Sequence, residues 1–372
     1  MFALISRFGF SQKNIFRFIC LFGAIYPLIL VFCFSAQESQ KYIDNLGIHV
    51  LLYVLLAWGM SVTVGFAGLV NLSYVMAYAI GAYSYAILGM RYDLSIFFSL
   101  PISVIIAGIF GIVSGLPSLK FRGDYLALIT LGIASIAKYV LIQWESLTHG
   151  TYGIHVVNRL TFFGIKFDNS RGGFASIFHL PSSPIYFKIF LYYILFALCF
   201  LSAWIIKRLR HMSIGNFWKY MRDNQSSFNS FKKNVIFYKL SAFAISAMFG
   251  GLCGALLVAW REFVSPYFFE ISEGIIILSI VILGGMTSLS GIVGAVIVVI
   301  GGAEILCDLN LLDLVFNSHY VSSNVDHSIS LIIGVFLVIL LSPGVLTSLR
   351  QPSPFLNLYK TSGSRTQSKK YK

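Results

Sequence analysis

Long apolar stretches, broken by short polar or basic segments, set the pattern of this chain. A helix needs about 20 predominantly apolar residues to cross a bilayer. Ten stretches approach that length, near residues 15–34, 47–68, 72–90, 95–116, 124–143, 186–206, 237–259, 271–286, 290–308 and 328–348. They predict an all-α polytopic membrane protein of about ten transmembrane helices. The eighth stretch is short, and the second holds Gly59, Gly65 and Gly68. The first follows Arg7, Lys13 and Arg17, as a signal peptide would. No small-x-small cleavage site closes it and other spans follow, so it is read as the first transmembrane helix.

Loop charge orients the spans. The 207–239 segment carries Lys207, Arg208, Arg210, Lys219, Arg222, Lys232, Lys233 and Lys239 against a single acid, Asp223. Residues 350–372 are basic without any acid, and Lys120 and Arg122 flank the turn between the fourth and fifth stretches. Segment 304–327 has Glu304, Asp308, Asp313 and Asp326 but no Lys or Arg. The positive-inside rule then places N and C termini in the cytoplasm, with every basic loop on that side. Residues 144–184 form a long outside loop, and residues 349–372 a basic disordered cytoplasmic tail suited to anionic membrane lipid.

Composition agrees with this class. Of 372 residues, 57% are hydrophobic and 11% charged, against about a quarter charged in soluble domains. A net charge of +13 would suggest nucleic acid in a soluble chain. Here the cations sit in loops and tail with no aromatic-interleaved basic face, so no nucleic acid partner is expected. Cys20, Cys33, Cys199, Cys253 and Cys307 lie in or beside apolar stretches and read as buried thiols. His149 and His155, six apart in a loop without a third ligand, read as ordinary polar residues, so no metal is expected.

Catalytic signatures are absent: no phosphate-binding Gly-rich loop with Lys-Ser/Thr, no nucleophile elbow, no zinc-binding His-Glu-x-x-His. No catalytic residue is assigned, and no cofactor is expected in this chain. Lys138 and Glu304 are the chief ionisable residues within the stretches, close enough to their ends to snorkel. A proton- or sodium-driven carrier usually keeps a carboxylate near the midplane, and none is apparent. The pattern is that of a pathway powered from elsewhere.

Three segments stand out. Residues 64–74 carry Gly65 and Gly68, which suit either a close helix contact or an interrupted helix, followed by Asn71, Tyr74 and Tyr78 on one helical face and then Tyr83. Such a stripe suits a small amphipathic solute, and equally suits hydrogen bonding between helices. Residues 283–291 form a Gly- and Ser-rich turn between two stretches. Within the basic loop, Asn216–Tyr220 and Ser226–Phe231 mix aromatic, polar and charged residues, as a platform for a soluble partner or a plain solvated face would. Ala107-Gly111-Gly115 and Ala247-Gly251-Ala255 place small residues four apart, a signature of close helix pairs.

The stretches VGFAGLVNLSYVMAYAIGAY (64–83), LKFRGDYLALITLG (119–132), FVSP (263–266) and ILGGMTSLSGIVGA (282–295) resemble the M-type permease subunits of branched-chain amino acid ABC transporters. Arg122–Ala127 is the most specific element, and the likeness runs from about residue 47 to 348. The resemblance implies a subunit of a bacterial inner-membrane importer. A second, H-type permease would complete the pathway, two ATP-binding subunits would bind and hydrolyse ATP, and a periplasmic solute-binding protein would deliver the solute. It also implies domain boundaries at 1–46, 47–348 and 349–372, with a coupling segment in 207–239. There Gly215, Trp218, Arg222, Asn234 and Lys239 agree with the family pattern, and Asp223, Gln225, Phe231 and Lys232 complete the coupling candidates. Gly65, Gly68, Asn71, Tyr74 and Tyr78 are the pathway candidates.

Departures from that pattern are specific. Gln225-Ser226-Ser227-Phe228 replaces Glu-Ile-Ala-Ala, and Lys232 replaces a helix-ending Gly. Asn71 stands for Asp and Ser73 for Gly, while Thr287 and Ser290 replace a Gly and a Pro. Lys138 matches a basic position. Urea, short amides or another small metabolite are alternative solutes, and a scaffold without transport is the alternative role.

Overall fold

Peptide groups in an apolar medium must pair within their own segment, which is why the apolar stretches fold as helices. The computed structural model describes residues 23, 25–27, 30, 36–92, 94–121, 123–156, 161–162, 165–166, 185–223 and 232–304. A short α1 (Ala36–Tyr42) passes through a π-helical segment, Ile43–Ile48, into α2 (His49–Ser61), and a second π segment, Val62–Phe66, ends that rod. Next come α3 (Tyr74–Tyr92), α4 (Ile96–Gly115), α5 (Asp124–Gln143) and α6 (Ile185–His211). A short α7 (Ser213–Asp223) precedes α8 (Lys232–Arg261), α9 (Ile271–Gly284) and α10 (Leu289–Val296), which continues as a π segment, Ile297–Gly301.

Among the described residues, six helices are long and apolar enough to cross a membrane: Glu38–Phe66, Ile96–Leu119, Tyr125–Gln143, Lys188–His211, Ile236–Arg261 and Pro266–Gly284. The expected span near 72–90 is α3, 19 residues long, whose tyrosines make it less apolar than these six. That near 290–308 is represented by the shorter apolar helix Leu289–Glu304. Most of the first expected span, all of the last, and the basic tail lie outside the described residues.

Glu38–Phe66 and Ile236–Arg261 form the middle of the bundle: 83% and 78% of their apolar windows are buried, against 17% for α5 and 28% for the α4 span. α8 packs along α4, α3 and α2, while α6, α9 and α10 cover α2 from other sides. Exposed Ile105, Ile109, Tyr125, Leu128, Ile136 and Tyr139 give α4 and α5 apolar outer faces, as lipid contact requires.

Small residues set the closest crossings, as the spacing of Ala107-Gly111-Gly115 and Ala247-Gly251-Ala255 anticipates. At Gly251 the α8 backbone meets Gly81 of α3 on one side and Ala107 of α4 on the other, leaving no room for a methyl group. Lipid tails are as apolar as side chains, so such backbone approach supplies van der Waals cohesion that a hydrophobic driving force cannot.

The two ends of the bundle differ. At the basic end, Lys239 is 4% exposed and donates from Nζ to the Ser118 carbonyl. At the far end, Ile154–His155 (β1) pairs antiparallel with Phe263–Val264, partnering Ile154 with Val264 and His155 with Phe263. His155 also stacks on the Phe263 ring, 4.4 Å between centroids, while His149 occupies a left-handed turn at φ 58°. Neither belongs to any group of metal-ligating side chains among the described residues.

Gly251→Ala should therefore cost about 1–3 kcal/mol through overpacking. Gly132→Ala on α5, where an added methyl meets nothing within 4 Å, should be neutral or stabilising. Melting midpoints in mild detergent test the contrast; equal effects would contradict the packing described.

Candidate functional site

The long rod ending at Phe66 loses regular α-helical pairing in its last turn, because Val62–Phe66 adopt the wider π spacing. Residues 67–73 then turn the chain into α3, with Gly68 at φ +68°. A buried backbone that leaves the helix needs other partners for its polar groups. Leu69 N donates to Thr63 O at 3.0 Å, and Leu72 N to Thr130 Oγ1 at 3.1 Å. The Gly65 carbonyl accepts from Arg222 Nη1 of α7 at 2.7 Å.

Both glycines admit a close approach, Gly68 that of Arg222 and Gly65 that of the Met286 backbone. A Cβ on Gly68 would lie 2.7 Å from Arg222 Cγ, and one on Gly65 would collide with the Met286 carbonyl in the turn between α9 and α10. Three separate segments thus converge at the basic end: the 62–73 break, α7, and the 284–290 turn. Trp58 of α2 joins them, its Nε1 donating to Leu289 O at 3.1 Å.

α7 is two-faced. Trp218 and Met221 are buried, and Trp218 Nε1 donates to Tyr238 O of α8 at 2.9 Å. Phe217 stacks on the Tyr238 ring at 4.2 Å. Gly215 is buried where the start of α7 folds back on the Leu209–Arg210 backbone, again without space for a Cβ. The other face exposes Asn216, Lys219 and Tyr220. Asp223 ends α7 and Lys232 begins α8, whereas Gln225 and Phe231 lie outside the described residues.

Of the aromatic stripe, Tyr74 is wholly buried and donates from Oη to Leu56 O at 2.9 Å, tying α3 to α2. Tyr78 is 6% exposed and meets Phe269 edge-on at 4.9 Å. Tyr83, one turn beyond, also faces Phe269, and its hydroxyl is buried with no hydrogen-bond partner among the described residues. Asn71 is buried, and its Oδ1 accepts from Ser73 Oγ at 2.6 Å. The two departures in this segment are therefore one local pair: the hydroxyl added at 73 is held by the amide at 71.

The far end holds a polar cluster that the apolar pattern hides. Asp44, inside the first π segment, pairs with Lys188 of α6 and accepts from Trp260 Nε1 at 3.3 Å. His49 Nδ1 lies 3.5 Å from Glu304 Oε1 and edge-on to Tyr53, whose hydroxyl donates to Glu273 Oε2 at 2.7 Å. Glu304 is only 7% exposed, so it does not snorkel as expected: it turns inward to His49. Lys138 pairs with Glu270 at 3.2 Å. These residues come from distant segments, and a single carboxylate in an apolar run gives no sign of its partner. Of the five cysteines, Cys199 and Cys253 are free, buried thiols as expected; the other three lie outside the described residues.

Comparison with known proteins agrees with this architecture. The family described as branched-chain amino acid transport system / permease component matches residues 42–308, and the chain belongs to that family. It is 36% identical over 288 residues to the high-affinity branched-chain amino acid transport system permease protein LivM of Escherichia coli K12, covering 76% of this chain and 68% of the relative. Identity to the LivM protein of Salmonella typhimurium LT2 is 34% over the same shares. The probable branched-chain amino acid transport permease protein LivM of Methanocaldococcus jannaschii is 25% identical over 42% of this chain and 41% of the relative. No solved structure matches the chain significantly. The protein is thus a multi-pass membrane permease.

Loss of the Arg222–Gly65 bond strands a carbonyl at the helix break. Arg222→Ala is expected to lower stability by about 1–3 kcal/mol, with Gly68→Ala at least as damaging because it adds left-handed backbone strain. Thermal unfolding in detergent reads both; a wild-type midpoint for either variant would remove this contact from the account.

Proposed function

We propose that the chain is the permease subunit of an ATP-driven importer for branched-chain amino acids, itself without catalytic chemistry or cofactor. A second, H-type permease shares the pathway, two ATP-binding subunits bind and hydrolyse ATP, and a periplasmic solute-binding protein delivers the solute. The complex sits in a bacterial inner membrane. The chain crosses it about ten times with both termini and the basic end in the cytoplasm, so the 144–184 segment and the far-end cluster face the periplasm.

The observation that carries this reading is the attachment of α7 to the helix break. A surface helix that exposes Asn216, Lys219 and Tyr220 grips the membrane core through Trp218 and Arg222. Displacing α7 therefore pulls on Gly65–Gly68 and on the Met286 turn together. ATP-driven closure of the nucleotide-binding pair would supply that displacement, and two helix-end arrangements would expose the pathway to each side in turn. Gly65, Gly68, Asn71, Tyr74 and Tyr78 form the moving wall of the route. The Tyr83 hydroxyl, buried without a hydrogen-bond partner among the described residues, supports a polar contact for solute in the same region. Gly215, Trp218, Arg222 and Asp223, followed by Gln225, Phe231 and Lys232, make up the coupling segment.

Coupling is expected to depend on the exposed face of α7. Tyr220→Ala, 62% exposed in the isolated chain, should cut ATP-dependent leucine uptake into proteoliposomes by about tenfold or more, the effect of losing ~1.4 kcal/mol of docking. Membrane insertion and melting should stay normal. Unchanged uptake would sink the docking assignment. Uptake of urea or short amides in place of leucine, isoleucine and valine would overturn the solute.

A further inference from the structure

We propose that the groove between α6 and α10 holds one anionic phospholipid, with its phosphate at Lys207 and Arg210 and one acyl chain along α6 past Phe200. Two adjoining cavities carry the inference. A cavity of about 470 Å³ at the basic end is lined by Lys207, Arg210 and His211 of α6 and by Thr287, Ser288 and Ser290 of the turn into α10. A second, of about 280 Å³, runs on between α6, α2 and the helix after α10, with Gly23 and Tyr26 of the first expected span on a further side, and is lined by Tyr192, Phe196, Val54 and Ile297. Phe200 and Ala203 are walls of both.

Head and tail are chemically matched. Lys207, Arg210 and His211 are three and four residues apart, hence on one side of α6. Among the described residues no carboxylate pairs with any of them, and Arg210 leans over the Phe66 ring at 5.9 Å. The three hydroxyls opposite are donors suited to phosphate oxygens. Beyond the shared walls the described lining is apolar apart from the Tyr26 and Tyr192 hydroxyls, the Trp58 indole and the Cys199 thiol.

Depth is matched as well. Tyr192 to Ala203 spans about 16 Å of helix at ~1.5 Å per residue, close to half of the ~30 Å hydrocarbon core. Trp204, 63% exposed, stands at the junction with Lys207 just beyond it, the aromatic-then-basic order of a membrane interface. A soluble phosphate ester would leave the apolar groove unfilled, and a plain hydrocarbon would leave the cations unmatched. A phospholipid fills both, as basic pockets between membrane helices do for anionic headgroups.

Native mass spectrometry of the purified full chain, with any subunits that stay with it, tests this directly. Titration with phosphatidylglycerol should show about tenfold tighter retention than with phosphatidylcholine. K207Q/R210Q should abolish that preference, K207R/R210K should keep it, and Ala203→Trp at the junction should weaken both lipids. Glycerol phosphate at equal concentration should not displace the lipid. An unchanged preference in K207Q/R210Q, whose side chains are exposed and whose folding is checked by an unaltered melting midpoint, would overturn the site. Displacement by glycerol phosphate would do so too, by assigning the cations to a free phosphate ester.

Discussion

A carbonyl freed from its helix inside an apolar medium has to find a donor, and here the Gly65 carbonyl finds Arg222. Leaving such a buried group unpaired costs about 1–3 kcal/mol, so the break at Val62–Phe66 and the position of α7 depend on one another. The glycines follow from the same constraint. Gly68 takes the left-handed turn that brings the chain under Arg222, and Gly65 lets the Met286 turn approach. One hydrogen bond thereby ties a surface helix to the point where a membrane rod changes direction.

The rest of the bundle obeys the same economy in two forms. Where backbones can touch, as at Gly81, Gly251 and Ala107, cohesion comes from close contact alone. Among the described residues, carboxylates in the apolar runs have company: Asp44 with Lys188 and Trp260, Glu273 with Tyr53, Glu304 with His49. Isolated, each carboxylate would meet a large desolvation penalty. The result is a closely packed centre of α2, α3, α4 and α8, with charged pairs and surface-helix contacts gathered toward the two ends.

Legibility followed the range of the interactions. The positions of the described spans and the small-residue stripes are local patterns that spacing could show, whereas Gly65 and Gly68 suited a close helix contact as well as a break. The mixture at Asn216–Tyr220 suited a short helical platform or a plain solvated face, and neither reading showed that Trp218 and Met221 would be buried. The partners of α7, Gly65 and Tyr238, were not readable either, because an arginine in a basic loop looks the same whether it faces solvent or a carbonyl. The far-end cluster escaped for the same reason. His49 and Lys188 each sit singly in an apolar run, Glu273 stands only three residues after Glu270, and only the fold brings them to their counterparts. Tyr74 shows the converse: a tyrosine stripe that suits a solute route also serves, at this residue, to bind α3 to the Leu56 carbonyl.

The central claim is that motion of α7 reaches the membrane core through the Arg222–Gly65 contact. Amide hydrogen exchange in the reconstituted transporter, with and without ATP trapped by vanadate, addresses it most directly. The account predicts that ATP changes exchange both in α7 and across residues 62–73, and that Arg222→Ala keeps the response in α7 while erasing it at 62–73. An ATP response at 62–73 that survives Arg222→Ala would contradict it, and coupling would then have to run by another path.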